Sequence, residues 1–180
     1  MEVKILKESG YEEAMLGISL SWASNPERAK QIAPNLAHKQ GGHNKFLESI
    51  IIWLDVTFPR DIWSEADTYR LSTKQSESTM HTLNKQYLTQ ENFDKPIPQE
   101  IIDVLNKQID RYNKKEIGID DLKHCLPEGF LQRRIWCMSY KELQNICFQR
   151  GRHKMPQWKV FIDSVLEQIE HPEFIIKKEA

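Results

Sequence analysis

The sequence predicts a helix-rich α+β fold with few strands, organised as one domain over residues 1–180. Three observations lead to this class. The chain has 180 residues, 39% of them hydrophobic and 28% charged, which is typical of one globular domain with its own core. Residues 98–112 and 158–169 carry apolar side chains at helical spacing. Residues 50–58 are rich in β-branched and aromatic side chains, which favours a buried strand.

The net charge and the cysteines narrow the function classes. A net charge of −1 gives no field that would hold a polyanion, so bulk nucleic-acid binding is not expected. There is no signal-like N-terminal segment and no apolar run long enough for a bilayer, which predicts a cytoplasmic protein without a membrane partner. Cys125, Cys137 and Cys147 are odd in number and fit no metal-binding pattern, so we expect reduced thiols and no metal site.

The first part of the chain predicts an edge strand and two helices. Residues 3–6 suit a short edge strand, and Ser9 is positioned to cap a helix that runs to about residue 22. Asn25 followed by Pro26 is a strong helix start, because a capping side chain precedes a proline in the first turn. This second helix is expected to end near Pro34 or soon after.

The next part predicts a turn, a strand and a helix. The two glycines of residues 41–44 break the chain, and Asn44 can cap a short turn that follows. Residues 50–58 then predict a strand buried on both faces. Pro59 ends this strand and permits a helix over residues 61–69.

Residues 67–81 are the most polar stretch of the chain. They hold six serines and threonines, one arginine and two carboxylates, with no hydrophobic periodicity. Such a segment cannot form a core wall, because each buried hydroxyl or charge would need its own partner. Two interpretations stay open: a solvated loop, or a ligand-binding loop on a rigid support.

The second half predicts two amphipathic helices, with a strand and a third helix between them. Pro98 opens the first, whose apolar face contains Ile101, Ile102, Leu105, Ile109 and Tyr112. Residues 132–138 indicate a strand, and Ser139 with Glu142 forms a capping-box pattern for a helix to about Arg150. The last amphipathic face contains Trp158, Phe161, Ile162, Val165 and Ile169.

Three separated blocks of this sequence resemble the flavin-dependent thymidylate synthase (ThyX) family. The first block is Gly42-His43-Asn-Lys-Phe-Leu-Glu48, which is similar to the family element GHxSxxEH. His43 and Glu48 stand at the family spacing. Lys45 replaces the family serine, and Ser49 replaces the second histidine.

The second block resembles the family signature RHRxxSxxxxSxRY. Arg70 matches the last arginine of RHR, while Thr68 and Tyr69 replace the other two residues. The two serine positions and the final arginine are taken by Thr73, Ser78 and Met80, and Glu65 stands where the family has a glutamine that reads the pyrimidine.

The third block runs from Lys123 to Arg150 at spacings that match the family without a gap. Lys123 stands at a family arginine that precedes a Leu-Pro pair. Ser139 and Lys141 replace the asparagine and arginine at a helix start, and Asn145 and Arg150 match an asparagine and an arginine further down that helix. Together the blocks cover about residues 41–160.

The resemblance implies the fold, the ligands and the assembly. The fold would be helix-rich α+β, with a small antiparallel sheet packed against helices. FAD, methylenetetrahydrofolate and a pyrimidine deoxynucleotide, dUMP or one with a related base, would meet in one cleft, and NADPH would re-reduce the flavin. Family members build their sites from several subunits of a tetramer, so a homotetramer is implied. No cysteine nucleophile is required.

The resemblance also assigns roles to individual residues. Arg150 is the implied catalytic residue, which contacts and activates the base. The nucleotide site is implied to contain Glu65, Ser76, Ser78, Lys123 and Arg150. The cofactor site is implied to contain His43, Arg70, Thr73, Ser139, Lys141 and Asn145. No residue is assigned to a metal.

Five of these residues also have an ordinary interpretation. An arginine at position 150 suits a helix C-terminus, where it satisfies the last carbonyls. Lys123 suits a solvated surface, His43 a plain loop, and Ser78 an ordinary turn. Asn145 suits an amide-to-backbone contact within a helix.

The departures from the family pattern leave two functional hypotheses. The first is a divergent enzyme that transfers a one-carbon unit to C5 of a pyrimidine nucleotide. Because a carboxylate at Glu65 accepts but does not donate hydrogen bonds, a cytosine nucleotide is one candidate ligand. The second is an inactive relative that binds a nucleotide or another protein, of a kind that a bacteriophage genome could carry.

Overall fold

The structure is a computed structural model that describes residues 1–22 and 24–177. These residues form four strands and eight α-helices, in the order β1 (Glu2–Ser9), α1 (Tyr11–Ser19), α2 (Pro26–Ala37), β2 (Ile51–Pro59), α3 (Arg60–Ala66), β3 (Ser72–Ser76), α4 (Thr79–Thr82), α5 (Gln99–Asn113), α6 (Ile119–His124), β4 (Leu131–Ser139), α7 (Tyr140–Arg150) and α8 (Pro156–Gln168). The strands form one small antiparallel sheet in the order β1-β2-β4-β3. The predicted α+β class is therefore confirmed. No described helix is both long enough and apolar enough to cross a membrane.

The described chain divides into two compact units. Unit one contains Met1–Glu2, Val56–Thr68 and Gln75–Arg134. Unit two contains Val3–Asp55, Tyr69–Lys74 and the chain from Ile135 onward. All four described strands contribute residues to both units. The expectation of a single domain over residues 1–180 stays a prediction.

The core of unit one forms around the amphipathic helix α5. The predicted apolar face is confirmed at Ile102, Leu105 and Ile109, which are buried, whereas Ile101 is 41% exposed and was wrongly placed on it. Ile102, Leu105 and Ile109 are spaced three and four residues apart, so they share one face of the helix. Ile101 is turned by about 100° around the helix axis from Ile102, which places it at the edge of that face. The core cluster contains Leu83, Leu88, Phe93, Ile102, Leu105, Ile109, Leu122, Leu126 and Phe130.

The core of unit two is aromatic. The Trp136 ring on β4 stacks on Phe161 of α8 with ring centroids 5.6 Å apart, and Trp158 meets the same ring edge-on at 6.0 Å. All five residues of the predicted last apolar face are buried, which confirms that face. Large ring contacts of this kind are a main source of core stability.

Two predicted helix starts have different outcomes. Asn25 caps α2 as expected, because its side-chain oxygen accepts a hydrogen bond from the Arg28 N–H at 3.1 Å. Ser9 does not cap α1; it is the last residue of β1, and Gly10 is the N-cap with φ of 90°. A left-handed backbone at this point favours glycine. Helix α1 ends at Ser19, and α2 continues past Pro34 to Ala37.

The prediction that residues 50–58 form a strand buried on both faces is wrong in its second part, because only one face of β2 is fully buried. Along its length buried and half-buried residues alternate, with Ile52, Leu54, Val56 and Phe58 on the buried face. This pattern belongs to an antiparallel strand with one fully covered face. The helix predicted over residues 61–69 is also shorter than expected, since α3 ends at Ala66.

The polar stretch 67–81 contains an element that its composition did not predict. Residues Ser72–Ser76 form β3, which pairs with β4 and is an edge of the sheet. An edge strand is hydrogen-bonded to a neighbour on one side only, and it tolerates exposed polar side chains. The stretch is therefore not wholly a loop, and it contributes the buried Tyr69 to the core.

Gly10 gives the first testable prediction. A Cβ atom at this position would lie 2.2 Å from the Ser49 carbonyl oxygen, and φ is positive there. Gly10→Ala should lower the free energy of unfolding by about 2–4 kcal/mol, because backbone strain and a backbone clash add. Urea unfolding followed by circular dichroism measures this change.

The matched control is Gly17→Ala in the adjoining helix α1. A Cβ there meets nothing within 4 Å. This substitution should raise stability by about 0.5–1 kcal/mol, because alanine is the better helix former. Equal stability of the two variants would contradict the assignment of Gly10 as a required left-handed cap.

Candidate functional site

Arg150 lies at the end of α7 and is held by two aromatic rings and a hydroxyl. Its Nε donates a hydrogen bond to the Tyr69 hydroxyl oxygen at 2.8 Å. The guanidinium carbon lies 5.5 Å from the Tyr69 ring centroid and 5.0 Å from that of Trp158. Both rings are buried and meet edge-on, with centroids 6.2 Å apart. The half-buried guanidinium thus has a defined plane and position.

The Tyr69 hydroxyl belongs to a relay of side chains along α7. It donates to Gln149 Oε1 at 3.1 Å, and Gln149 Nε2 donates to Asn145 Oδ1 at 2.9 Å. Asn145 Nδ2 in turn donates to Glu142 Oε2 at 3.4 Å. Glu142, Asn145 and Gln149 share one face because they are spaced three and four residues apart. Asn145, a predicted cofactor residue, therefore already has partners on its own helix.

The start of α7 positions two further predicted cofactor residues. Ser139 Oγ accepts from the Glu142 N–H at 3.2 Å, so the predicted cap is present. The Glu142 side chain bonds Asn145, so the helix start shows the serine half of the predicted capping box. Lys141 follows in the first turn and is half-buried. Ser139 and Arg150 lie at opposite ends of α7, about 16 Å apart from its rise per residue.

The backbone at Tyr69 is fixed by a second set of contacts within unit two. Ser72 Oγ donates to the Tyr69 carbonyl at 2.8 Å and accepts from Trp136 Nε1 at 2.9 Å. Lys74 Nζ donates to the same carbonyl at 3.1 Å and lies 5.1 Å from the Trp136 ring centroid. Tyr69 is therefore anchored at its backbone as well as at its hydroxyl.

Arg70, Thr73 and His43 are exposed predicted cofactor residues. Within the described residues, none of these three side chains has a hydrogen-bond or ion-pair partner. His43 follows Gly41 and Gly42, whose φ angles are 74° and 87° and whose Cβ positions face open space. The donors of these residues are thus available to a ligand in solution.

Unit one contains the residues predicted to bind the nucleotide, apart from Arg150. Ser78 is the N-cap of α4 but makes no side-chain capping bond, and α4 packs against α6, which contains Lys123. Lys123 is half-buried and forms no ion pair within the described residues. Ser76 is exposed at the end of β3, and Glu65 is half-buried in the last turn of α3. The structure brings the elements of Ser78 and Lys123 together.

Sequence reasoning missed Arg134 in unit one. Its Nη1 donates to both carboxylate oxygens of Asp67 at 3.0 and 3.1 Å, and its guanidinium carbon lies 4.5 Å from the Trp63 ring centroid. The Arg134 side chain is only 15% exposed. The available signal was a pair of arginines, Arg133 and Arg134, inside the strand β4. Because Asp67 neutralises it, its contacts are those of a structural ion pair.

Sequence reasoning also missed the roles of Tyr69 and Gln149. Tyr69 was noted only as a departure from the family histidine. Its contact with Arg150 spans 81 positions along the chain. No local pattern signals such a contact.

Neither Cys137 nor Cys147 offers an activated thiolate. Burial raises the pKa of the Cys147 thiol to about 12, and burial also raises the pKa of Cys137. Cys125 is exposed. The described residues contain no cluster of histidine, cysteine and carboxylate side chains that could hold a metal.

Tyr140, the first residue of α7, is locked in the core of unit two. Burial, followed by its hydrogen bond to Glu8, raises the pKa of this phenol far above its usual range. It therefore serves packing at the helix start and is not a proton donor at neutral pH.

The fold is shared with proteins of known structure. Two solved structures of the flavin-dependent thymidylate synthase ThyX from Helicobacter pylori, each complexed with FAD and dUMP, share it with TM-scores of 0.81 and 0.82. They are 15% and 14% identical in sequence, and the matches cover 97% and 98% of this chain and 98% of each of those chains. A comparison with curated proteins gives no match.

The family follows from the sequence itself. The family model described as thymidylate synthase complementing protein, Thy1, matches residues 8–171. The chain therefore belongs to this family, and the resemblance expected from the three blocks is confirmed.

Two serines at N-cap positions give the second prediction. Ser139→Ala should lower the free energy of unfolding by about 1 kcal/mol, because it removes the hydrogen bond that caps α7. Ser78→Ala should change it by less than about 0.5 kcal/mol, since the Ser78 hydroxyl caps nothing. Thermal or urea unfolding of both variants checks the pair. A larger loss for Ser78→Ala than for Ser139→Ala would contradict the assignment.

Proposed function

We propose that this chain is a divergent flavin-dependent enzyme that transfers a one-carbon unit from methylenetetrahydrofolate to C5 of a pyrimidine deoxynucleotide, dUMP or one with a related base. The observation that carries the proposal is the restrained guanidinium of Arg150, at a position that matches the family's base-contacting arginine. The family match over residues 8–171 supports it. The protein is proposed to act in the cytoplasm as a homo-oligomer, a tetramer by analogy with the family.

The chemistry of the available donors fits FAD. Arg70 offers a guanidinium with no partner in the described structure, which suits the pyrophosphate or ring oxygens of the cofactor. His43 offers a planar ring beside two glycines that leave open space, and Thr73 adds an exposed hydroxyl. Ser139, Lys141 and Asn145 would approach the cofactor from α7. When bound, the flavin supplies the reducing electrons, which NADPH renews.

Each unit carries groups that suit one part of a nucleotide. Lys123 supplies a cation and Ser76 and Ser78 supply hydroxyl donors for the phosphate. Arg150 would donate hydrogen bonds to the edge of the pyrimidine, where it would stabilise negative charge that develops on a carbonyl oxygen of the base. Its fixed plane lowers the reorganisation needed when that charge appears.

Flavin binding gives the third prediction. The purified protein mixed with FAD should become yellow, retain the flavin on gel filtration and oxidise NADPH. Arg70→Ala should weaken FAD binding by about tenfold or more, the loss expected for a charge-assisted hydrogen bond. Fluorescence titration of FAD measures the affinity.

The control is Arg152→Ala, which removes an exposed cation that is not assigned to the site. It should leave the FAD affinity unchanged. A protein that retains no flavin after gel filtration from excess FAD and still binds a pyrimidine nucleotide would contradict the enzyme and support the inactive, nucleotide-binding relative.

Base selectivity at Glu65 gives the fourth prediction. A carboxylate accepts a hydrogen bond from the exocyclic amino group of cytosine but repels the carbonyl oxygen that uracil has there. The wild-type protein should therefore bind dCMP more tightly than dUMP. Glu65→Gln should shift the ratio of the two affinities toward dUMP by about tenfold, because an amide both donates and accepts.

Isothermal titration with both nucleotides measures the ratio. Glu128→Gln, which makes the same charge change at an exposed site in unit one, should leave the ratio unchanged. A clear preference of the wild-type protein for dUMP would remove the cytosine hypothesis.

A further inference from the structure

We infer that Tyr69 is a positioning residue that orients Arg150 for the pyrimidine base. The inference rests on the proposed function, because Arg150 is taken as the base contact. Tyr69 stands where the family signature has a histidine.

The single proton of the Tyr69 hydroxyl determines the direction of its hydrogen bond with Arg150. A tyrosine hydroxyl has one proton to donate. That proton goes to Gln149 Oε1 at 3.1 Å, so the oxygen presents its lone pair to Arg150 Nε at 2.8 Å. The Gln149 side chain is itself held by Asn145. The hydroxyl cannot rotate away from the arginine without breaking this relay.

The ring of Tyr69 is equally constrained. It is 5% exposed, meets Trp158 edge-on, and its carbonyl is held by Ser72 and Lys74. The guanidinium carbon lies over both rings at 5.5 and 5.0 Å. Arg150 is therefore held at Nε by the Tyr69 hydroxyl, and its guanidinium plane is held by the two buried rings of Tyr69 and Trp158.

This arrangement separates base recognition from phosphate recognition. Tyr69 touches Arg150 and, as proposed, the arginine touches the base. The phosphate is assigned to Lys123 and Ser78. Removal of the Tyr69 hydroxyl should therefore weaken binding of a ligand that has a base and spare one that has only the sugar phosphate.

Tyr69→Phe tests this role, since it keeps the ring and removes the hydroxyl. Isothermal titration uses whichever of dUMP and dCMP the wild-type protein binds more tightly, and 2-deoxyribose 5-phosphate serves as the base-free probe. The nucleotide affinity should fall on the order of tenfold, the effect of one hydrogen bond to a charged group, and the sugar-phosphate affinity should not change.

Tyr87→Phe is the matched control. It removes an exposed phenol that donates to Asp110 at 2.6 Å, and it should change neither affinity. Far-ultraviolet circular dichroism and the melting temperature verify that each variant is folded.

A double-mutant cycle gives a readout that a merely structural role would not produce. In an Arg150→Lys background, which lacks Nε–H, Tyr69→Phe should cause no further loss of nucleotide affinity. Additive losses, equal losses for both ligands, or an unchanged affinity of Tyr69→Phe would each overturn the inference. Absence of nucleotide binding by the wild-type protein would refute the proposed function and, with it, this inference. Full-strength nucleotide binding by Tyr69→Phe would refute only the inference, whereas full-strength binding by Arg150→Lys would also remove the proposed base contact.

Discussion

The interaction on which the candidate site depends is the contact between the Arg150 guanidinium and Tyr69. An arginine on a flexible side chain is a weak recognition element, because ordering it costs rotamer entropy at the moment of binding. Here that cost is met on folding, through a 2.8 Å hydrogen bond at Nε and two aromatic rings. The charge is thus preorganised before a ligand arrives.

Helix α7 is the rigid support for this arrangement. It follows directly from β4, is capped by Ser139, and buries Leu143 and Ile146 in the core of unit two. Its polar face carries the relay from Glu142 to Gln149. A site on a helix anchored in this way holds its side chains more closely than a site on a loop. The cations and hydroxyls assigned to the ligands' phosphates lie instead on exposed or half-buried surface.

The parts of the fold that local physics determines were predictable. The Asn25 cap, the buried faces of α5 and α8 and the strand at residues 50–58 all follow from spacing and propensity. Strand β3 was not predictable, because its polar side chains show no alternation and its pairing partner lies far along the chain. Gly10 was missed for the same reason, since the carbonyl that leaves no room for a Cβ atom there belongs to Ser49, far along the chain.

For the site, sequence reasoning found positions but not partners. The spacing of the three blocks identified Arg150, Asn145 and Arg70 as candidates. The same comparison recorded Tyr69 as a loss, because a substituted histidine looks like a defect when only one motif is in view. The structure shows that this substitution brings its own hydrogen bond. Divergence from a signature therefore does not by itself indicate loss of a site.

A crystal structure of the protein with FAD and its preferred pyrimidine nucleotide bound is the most direct measurement. The account predicts that the edge of the base lies within hydrogen-bonding distance of the Arg150 guanidinium, with the Tyr69 hydroxyl still on Nε. A nucleotide whose base contacts other residues, with Arg150 turned away from it, would contradict the account.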